Sequence, residues 1–129
     1  MSKRRVAVTG LGILSPLGND LRSSWDGIVN GRSGIGPITH FDASGFPTRI
    51  SGEVKDFDPA QWIPPKDIKK MDPFVHYGVA ASLMAIADSG IAIEGEAAER
   101  IGVAVGAGIG GPKGSGGTTL KDKEGGAGE

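Results

Sequence analysis

The residues whose types and spacing could support chemistry are few, and the first group is a run of glycines. Residues 106–111, GAGIGG, literally match the pattern G-x-G-x-x-G. In a dinucleotide-binding loop this pattern opens a helix whose N-terminus holds the pyrophosphate, and an acid about 20 residues later binds the ribose. The segment after Gly111 has no helical pattern, so the match predicts NAD(P) binding only weakly. A turn in which the backbone closely approaches another chain or a ligand fits these glycines better.

Three lysines form the second group. Lys66, Lys69 and Lys70 lie within about one helical turn, in a chain whose formal net charge is −1. One interpretation is a solvated helix face, because surface lysines are common. The other is an electrostatic docking site for an acidic partner.

The two histidines form the third group, and they give no catalytic arrangement. His40 and His76 are far apart in the sequence, and neither has acids at a suggestive spacing. His76 lies inside an apolar helical pattern, which predicts a hydrogen-bonded core histidine. The chain has no cysteine, which excludes a disulfide, a thiolate metal site and a cysteine nucleophile within these 129 residues. Two histidines are also too few for a typical zinc site.

Composition narrows the class of protein. The near-neutral charge gives no reason to expect nucleic acid or an anionic membrane as partner. The basic start and the apolar residues 6–14 superficially imitate a secretory signal, but Thr9, Gly10 and Gly12 interrupt the apolar run. No stretch approaches the roughly 18 apolar residues of a membrane span. These features predict a cytoplasmic chain.

The elements that must position these residues alternate between strands and helices. Val6–Gly10 and Ile101–Val105 are short β-branched runs, each predicted to be a buried strand. The glycines Gly10 and Gly12 suggest an irregular strand exit with unusual backbone angles. A helix should start at Asn19 or Asp20 and stop at residues 30–31, with its apolar positions on one face (Leu21, Trp25, Ile28 and Val29).

A second helix and a long loop region complete the pattern. Asp72-Pro73 predicts a helix start, and the helix should run to Ser89, with Gly90 as its stop. Because this helix is apolar nearly all round, we expect it to be buried. Residues 31–65 are loop-rich, with one strand candidate at 49–54. The order strand–helix–helix–strand indicates an incomplete α/β fold with parallel strands. Residues 112–129 hold many glycines and charges, which predicts a disordered tail.

Taken together, residues 1–111 resemble the N-terminal portion of the β-ketoacyl-acyl carrier protein synthases of the elongating type. The resemblance starts with MSKRRVAVTGLGILSPLGN at residues 1–19. It continues through Trp25, SGI at 33–35, HFD at 40–42, KMDPF at 70–74, ADSG at 87–90 and GVAVGAGIGG at 102–111. No single piece would be specific, but the set is.

The resemblance implies a thiolase-like fold, layered α-β-α-β-α in the full enzyme, and a homodimer. It implies an acyltransferase that extends acyl chains by decarboxylative condensation with malonyl-acyl carrier protein in fatty-acid synthesis. In this family a cysteine at a helix N-terminus takes the acyl group, and two histidines assist decarboxylation. None of these catalytic residues is present in this chain. No cofactor is implied beyond the phosphopantetheine of acyl carrier protein, which carries the substrates.

Two noncatalytic assignments follow from position in the resemblance. Lys66, Lys69 and Lys70 match the basic positions that meet acyl carrier protein, and Ile109 matches a residue that lines the acyl-chain pocket close to the dimer interface. The leading hypothesis is therefore an N-terminal fragment of a 3-oxoacyl-acyl carrier protein synthase that is inactive alone. The alternatives are a module that binds acyl carrier protein, a non-functional remnant, a fragment of a polyketide-type ketosynthase and, least favoured, a nucleotide-binding chain.

Overall fold

The computed structural model describes residues 3–108 of the chain. Four helices, a 3₁₀ turn and a two-stranded sheet follow one another. In chain order they are α1 (Leu21–Val29), β1 (Ile35–Pro37), β2 (Ile50–Gly52), the 3₁₀ turn (Pro59–Gln61), α2 (Pro65–Ile68), α3 (Pro73–Ser89) and α4 (Glu96–Arg100). None of these helices is long and apolar enough to cross a membrane.

Helix α1 begins and ends where its capping residues predict. The Asp20 side chain accepts a hydrogen bond from the Ser23 backbone N–H at 2.8 Å, and this bond is the main reason that the pKa of Asp20 is lowered. Asn30 is the C-cap residue, followed by Gly31 with φ 63°. Its buried residues are the small Ser24 and Gly27, which face the turn at residues 15–18. The large apolar residues of the helix are exposed (Leu21, Trp25, Ile28 and Val29).

Helix α3 also has the predicted bounds. Asp72 is its N-cap residue, Pro73 occupies the first helical position, and Gly90 ends it in the left-handed conformation with φ 62°. Only His76 and Ala80 are fully buried on this helix. Most of its other side chains are half-buried, so the expectation of a fully buried helix is met only in part.

The first glycine pair packs directly against α3. A Cβ at Gly12 would collide with the Ala81 carbonyl oxygen, and one at Gly10 would collide with the Ala85 carbonyl oxygen. Between them, the Leu11 N–H donates to Asp88 Oδ2 at 2.9 Å. The prediction of unusual backbone angles is wrong, because neither glycine has a positive φ. These positions need glycine because two backbones approach each other closely.

The two predicted buried strands are absent from residues 3–108. Val6–Gly10 and Ile101–Val105 are irregular, and their side chains are exposed, with Val6 at 85% and Val103 at 65%. A strand forms only when a neighbouring strand takes its backbone hydrogen bonds, and no described segment pairs with either run. The predicted strand–helix–helix–strand order and the parallel pairing are therefore wrong for the described residues.

The sheet that does form is antiparallel and lies in the region predicted to be mostly loop. Strands β1 and β2 pair in the register Ile35↔Gly52 and Pro37↔Ile50. Strand β2 falls inside the strand candidate at 49–54, which is confirmed, whereas β1 and α4 were not predicted. The predictions for Ile109 and for a disordered tail at 112–129 lie outside the described residues.

Candidate functional site

The three lysines of the sequence analysis lie on one exposed turn. Lys66 is in α2, Lys69 is its C-cap residue and Lys70 follows directly. Lys69 keeps a helical backbone with φ −69° and ψ −16°, so the turn continues past Ile68. Residues spaced by three and four positions share a helix face. We call these three exposed side chains the lysine patch.

The amino end of this turn is held by an apolar anchor. Ile63 is only 4% exposed, and its backbone N–H donates to the Pro59 carbonyl at 2.9 Å. Asp58 caps the 3₁₀ turn by accepting from the Ala60 N–H at 2.9 Å. The 3₁₀ turn contacts both α2 and α3, so it connects the lysine patch to the longest helix.

The carboxyl end of the turn is held by a histidine. His76, on α3, is 7% exposed, and its Nε2 lies 3.0 Å from the Ile68 carbonyl oxygen. A carbonyl oxygen can only accept, so Nε2 carries the proton and donates. The prediction of a hydrogen-bonded core histidine is confirmed. Next to His76, the Tyr77 ring packs edge-on against Phe57, with ring centroids 5.2 Å apart.

One acidic side chain moderates the charge of the lysine patch. Asp67 Oδ1 lies 3.0 Å from Lys70 Nζ. The Lys70 side chain is 70% exposed, and an ion pair in such a setting contributes little to stability. It does hold one of the three cations beside a carboxylate, so the lysine patch is less positive than its lysines alone suggest. The i,i+3 spacing of opposite charges was the sequence signal for this pair.

The remaining candidate residues are not brought together into a site. His40 is exposed and lies 4.0 Å from Glu53 near the β1–β2 sheet, whereas His76 is buried on α3. Within residues 3–108, no three histidine or acidic side chains are grouped so that they could hold a metal ion. Around Gly106 and Gly108 the space that a Cβ would occupy is open, and the rest of that glycine run lies past the described residues.

Comparison with known proteins identifies the family. Residues 3–128 match the family described as "Beta-ketoacyl synthase, N-terminal domain". The chain belongs to this family. The resemblance to β-ketoacyl synthases is thereby confirmed, over a longer stretch than the motifs in residues 1–111.

Individual members of the β-ketoacyl synthase family show how much of a whole protein the chain represents. It is 56% identical over 111 residues to 3-oxoacyl-[acyl-carrier-protein] synthase 2 of Vibrio harveyi, which is 86% of this chain and 27% of that protein. Its identity to the protein of the same name from Synechocystis sp. is 51% over 113 residues. The chain therefore spans about a quarter of the length of the curated relatives it matches.

A solved structure supports the fold at a coarse level. The chain is similar to "The ishigamide ketosynthase/chain length factor", with a TM-score of 0.62 and 39% sequence identity. The similarity covers 71% of this chain and 23% of that one. Helices together with a small sheet fit part of an α/β β-ketoacyl synthase domain.

Proposed function

We propose that the chain is the N-terminal part of a 3-oxoacyl-acyl carrier protein synthase of fatty-acid elongation, and that its lysine patch docks acyl carrier protein. The observation that carries this proposal is the exposed lysine patch in a chain 51–56% identical to relatives named 3-oxoacyl-[acyl-carrier-protein] synthase 2. In this proposal the complete protein has a thiolase-like layered fold and works as a homodimer, and Ile109 lines its acyl pocket.

The lysine patch suits an acidic protein partner for electrostatic reasons. Cations on an exposed turn steer an oppositely charged protein toward the surface and set its orientation, and they add less to affinity than to encounter rate. The patch stands out locally because the chain as a whole carries a net charge of −1. Docking there would present the phosphopantetheine-bound acyl group to the synthase.

The chemistry that we propose for the complete protein needs groups that this chain does not hold. Condensation begins when an acyl group is transferred to a cysteine thiolate, and this chain has no cysteine. Decarboxylation of malonyl-acyl carrier protein then supplies the carbanion that attacks the thioester carbonyl and releases the thiolate. We therefore expect the 129-residue chain alone to bind acyl carrier protein without condensing.

Binding of purified acyl carrier protein to the 129-residue chain, measured by calorimetry, tests the docking role. The variant Lys69→Glu/Lys70→Glu should bind at least about tenfold more weakly, because two attractive charges become repulsive. The matched control is Arg22→Glu/Lys55→Glu, which reverses two exposed cations outside the lysine patch and should bind within about twofold of the unchanged chain. Equal weakening by both variants would mean that binding depends only on the net charge of the chain, which would contradict a defined docking site.

An activity assay tests the other half of the proposal. The 129-residue chain, supplied with acyl- and malonyl-acyl carrier protein, should release no CO₂ above background. Condensing activity from this chain alone would overturn the assignment of the chemistry to groups outside it.

A further inference from the structure

The lysine patch lies on and directly after a helix, α2, that is too short to be stable by its own hydrogen bonds. Helix α2 has only four residues, Pro65–Ile68. A single helical turn fixes several backbone dihedrals for very few hydrogen bonds, so its formation alone is unfavourable. The direction in which Lys69 and Lys70 point therefore depends on what holds the turn in place.

At the end of α2, the Ile68 carbonyl connects the turn to another part of the protein by a hydrogen bond. The Lys70 N–H donates to the Asp67 carbonyl at 3.0 Å, and the Met71 N–H donates to the Ile68 carbonyl at 3.3 Å. The Ile68 carbonyl accepts a second, shorter bond from His76 Nε2 at 3.0 Å. This second bond connects the turn to a different helix, eight residues further along the chain.

From this geometry we propose that His76 is a positioning residue for carrier-protein docking. This inference rests on the proposed function and adds a residue that does not itself attract acyl carrier protein. His76 is buried on α3, its Nε2 bonds to the residue directly before Lys69, and it cannot reach a partner protein from beneath the turn. Its bond fixes the carboxyl end of the turn, as Ile63 fixes the amino end.

The physical basis is preorganisation. A docking surface that is ordered before binding loses less conformational entropy on binding than one that must be ordered by its partner. Breaking the bond between His76 and Ile68 leaves all three lysine charges in place but lets the turn move relative to α3. Affinity should fall by roughly three- to tenfold, the range expected for one hydrogen bond.

The test compares variants that keep or remove the donor at position 76. His76→Phe and His76→Met remove it with different side-chain shapes, and His76→Gln restores an N–H near the position of Nε2. Ser82→Ala is the matched control, because it removes a side-chain bond within α3, from Ser82 Oγ to the Gly78 carbonyl at 2.8 Å, that has no connection to α2. Acyl carrier protein binding to the 129-residue chain is measured at several salt concentrations.

The expected pattern separates positioning from charge. The Phe and Met variants bind roughly three- to tenfold more weakly with an unchanged salt dependence, while the Gln variant and the Ser82 control bind within about twofold of the unchanged chain. Amide hydrogen exchange at Lys70 and Met71 should become faster in the Phe and Met variants only.

Two results would overturn the proposal. One is unchanged binding by the Phe and Met variants, and the other is a Gln variant as weak as both of them. Failure of the proposed function gives a different result, because Lys69→Glu/Lys70→Glu would then bind like the unchanged chain. If the Phe variant does not fold, comparing the binding of the Met variant with that of the Gln variant still tests whether the donor at position 76 is needed.

Discussion

Asp67 is the residue through which the strength of the lysine patch can be adjusted. Its carboxylate lies 3.0 Å from Lys70 Nζ, so it competes with any acidic partner for that cation. We predict that Asp67→Asn strengthens acyl carrier protein binding by roughly two- to fivefold and steepens its salt dependence, because a rim charge is worth about 0.2–1 kcal/mol. Calorimetric titration at two salt concentrations checks this.

The control for Asp67→Asn is another exposed ion pair. Asp26 Oδ2 lies 2.7 Å from Arg32 Nη2, and Asp26→Asn changes the net charge by the same amount. Binding should change only for the variant in the lysine patch. An equal gain from both variants would mean that net charge, and not the pair with Lys70, limits docking.

Glu53, directly after β2, bonds to Thr39, two residues after β1. Its carboxylate accepts the Thr39 hydroxyl at 2.7 Å and the Thr39 N–H at 3.1 Å. These two bonds hold the pKa of Glu53 below its ordinary value of 4.5, and the bond from the Thr39 hydroxyl lowers it most. The charge of His40 lowers the same pKa by a smaller amount. Because the folded-state pKa is lowered, the stabilisation is complete above pH 4.5 and is lost as the pH falls through the lowered value.

An NMR titration of the Glu53 carboxylate tests this account. We predict that Thr39→Val moves the pKa of Glu53 back toward 4.5, so that the β1–β2 sheet becomes less sensitive to acid below that pH. Thr48→Val, in the same loop but with no bond to Glu53, should leave the pKa unchanged. A pKa of Glu53 that does not move in Thr39→Val would show that the Thr39 bonds are not its cause.

At the scale of elements, the crossing of residues 10–12 over α3 depends on the absence of side chains. In Gly12→Ala the added methyl group would collide with the Ala81 carbonyl oxygen and push Leu11 away from Asp88. Overpacking of this kind costs about 1–3 kcal/mol, so we predict at least roughly fivefold faster amide exchange at Leu11.

Gly45→Ala is the control for this crossing. No atom lies within 4 Å of the position that its Cβ would take, and Gly45 has no positive φ, so Leu11 should exchange as in the unchanged chain. Protection at Leu11 that survives Gly12→Ala would show that the segment can move aside without losing its bond to Asp88.

The same elements show which parts of the fold could be predicted from sequence. The bounds of α1 and α3 were predictable because Asp20, Pro73 and Gly90 act on their own helix ends. The strands were not, because the partner of a strand can lie anywhere in the chain. Val6–Gly10 has strand composition without a described partner, whereas Ile35–Pro37 contains glycine and proline and forms a strand because Ile50–Gly52 pairs with it.

The candidate site also has one part that could be predicted from the sequence and one part that could not. The lysine patch was predictable from spacing, because i, i+3 and i+4 positions share a face wherever the helix lies. The link from His76 to the Ile68 carbonyl was not predictable, because it depends on where α2 lies relative to α3 in the folded chain. The sequence indicated a buried, hydrogen-bonded histidine but gave no indication of its partner.

At the scale of the whole molecule, many large apolar side chains among the described residues are exposed and few are buried. The buried apolar residues among 3–108 are Ala43, Ile63 and Ala80, while Trp25 is 63% exposed and Val8 is 79% exposed. We predict that the 129-residue chain binds the dye ANS strongly and self-associates as its concentration rises, because exposed apolar side chains favour both. Fluorescence and size-exclusion chromatography measure these two properties.

A single substitution can test the origin of that behaviour. Trp25→Lys and Val29→Lys change the exposed side of α1, and each should reduce dye binding and self-association, whereas Arg22→Lys on the same helix should not. A chain that stays monomeric and dye-free at high concentration would contradict the prediction.

The edge-on pair of Phe57 and Tyr77 gives this chain a built-in spectroscopic reporter. Tyr77 is its only tyrosine, so one set of tyrosine ring signals in a proton spectrum belongs to a known position without any labelling scheme. The Phe57 ring, 5.2 Å away, shifts those signals through its ring current for as long as the segment before the 3₁₀ turn stays packed on α3. Because Tyr77 directly follows His76, the same signals report how the support beneath the lysine patch responds when a partner binds or a variant is introduced.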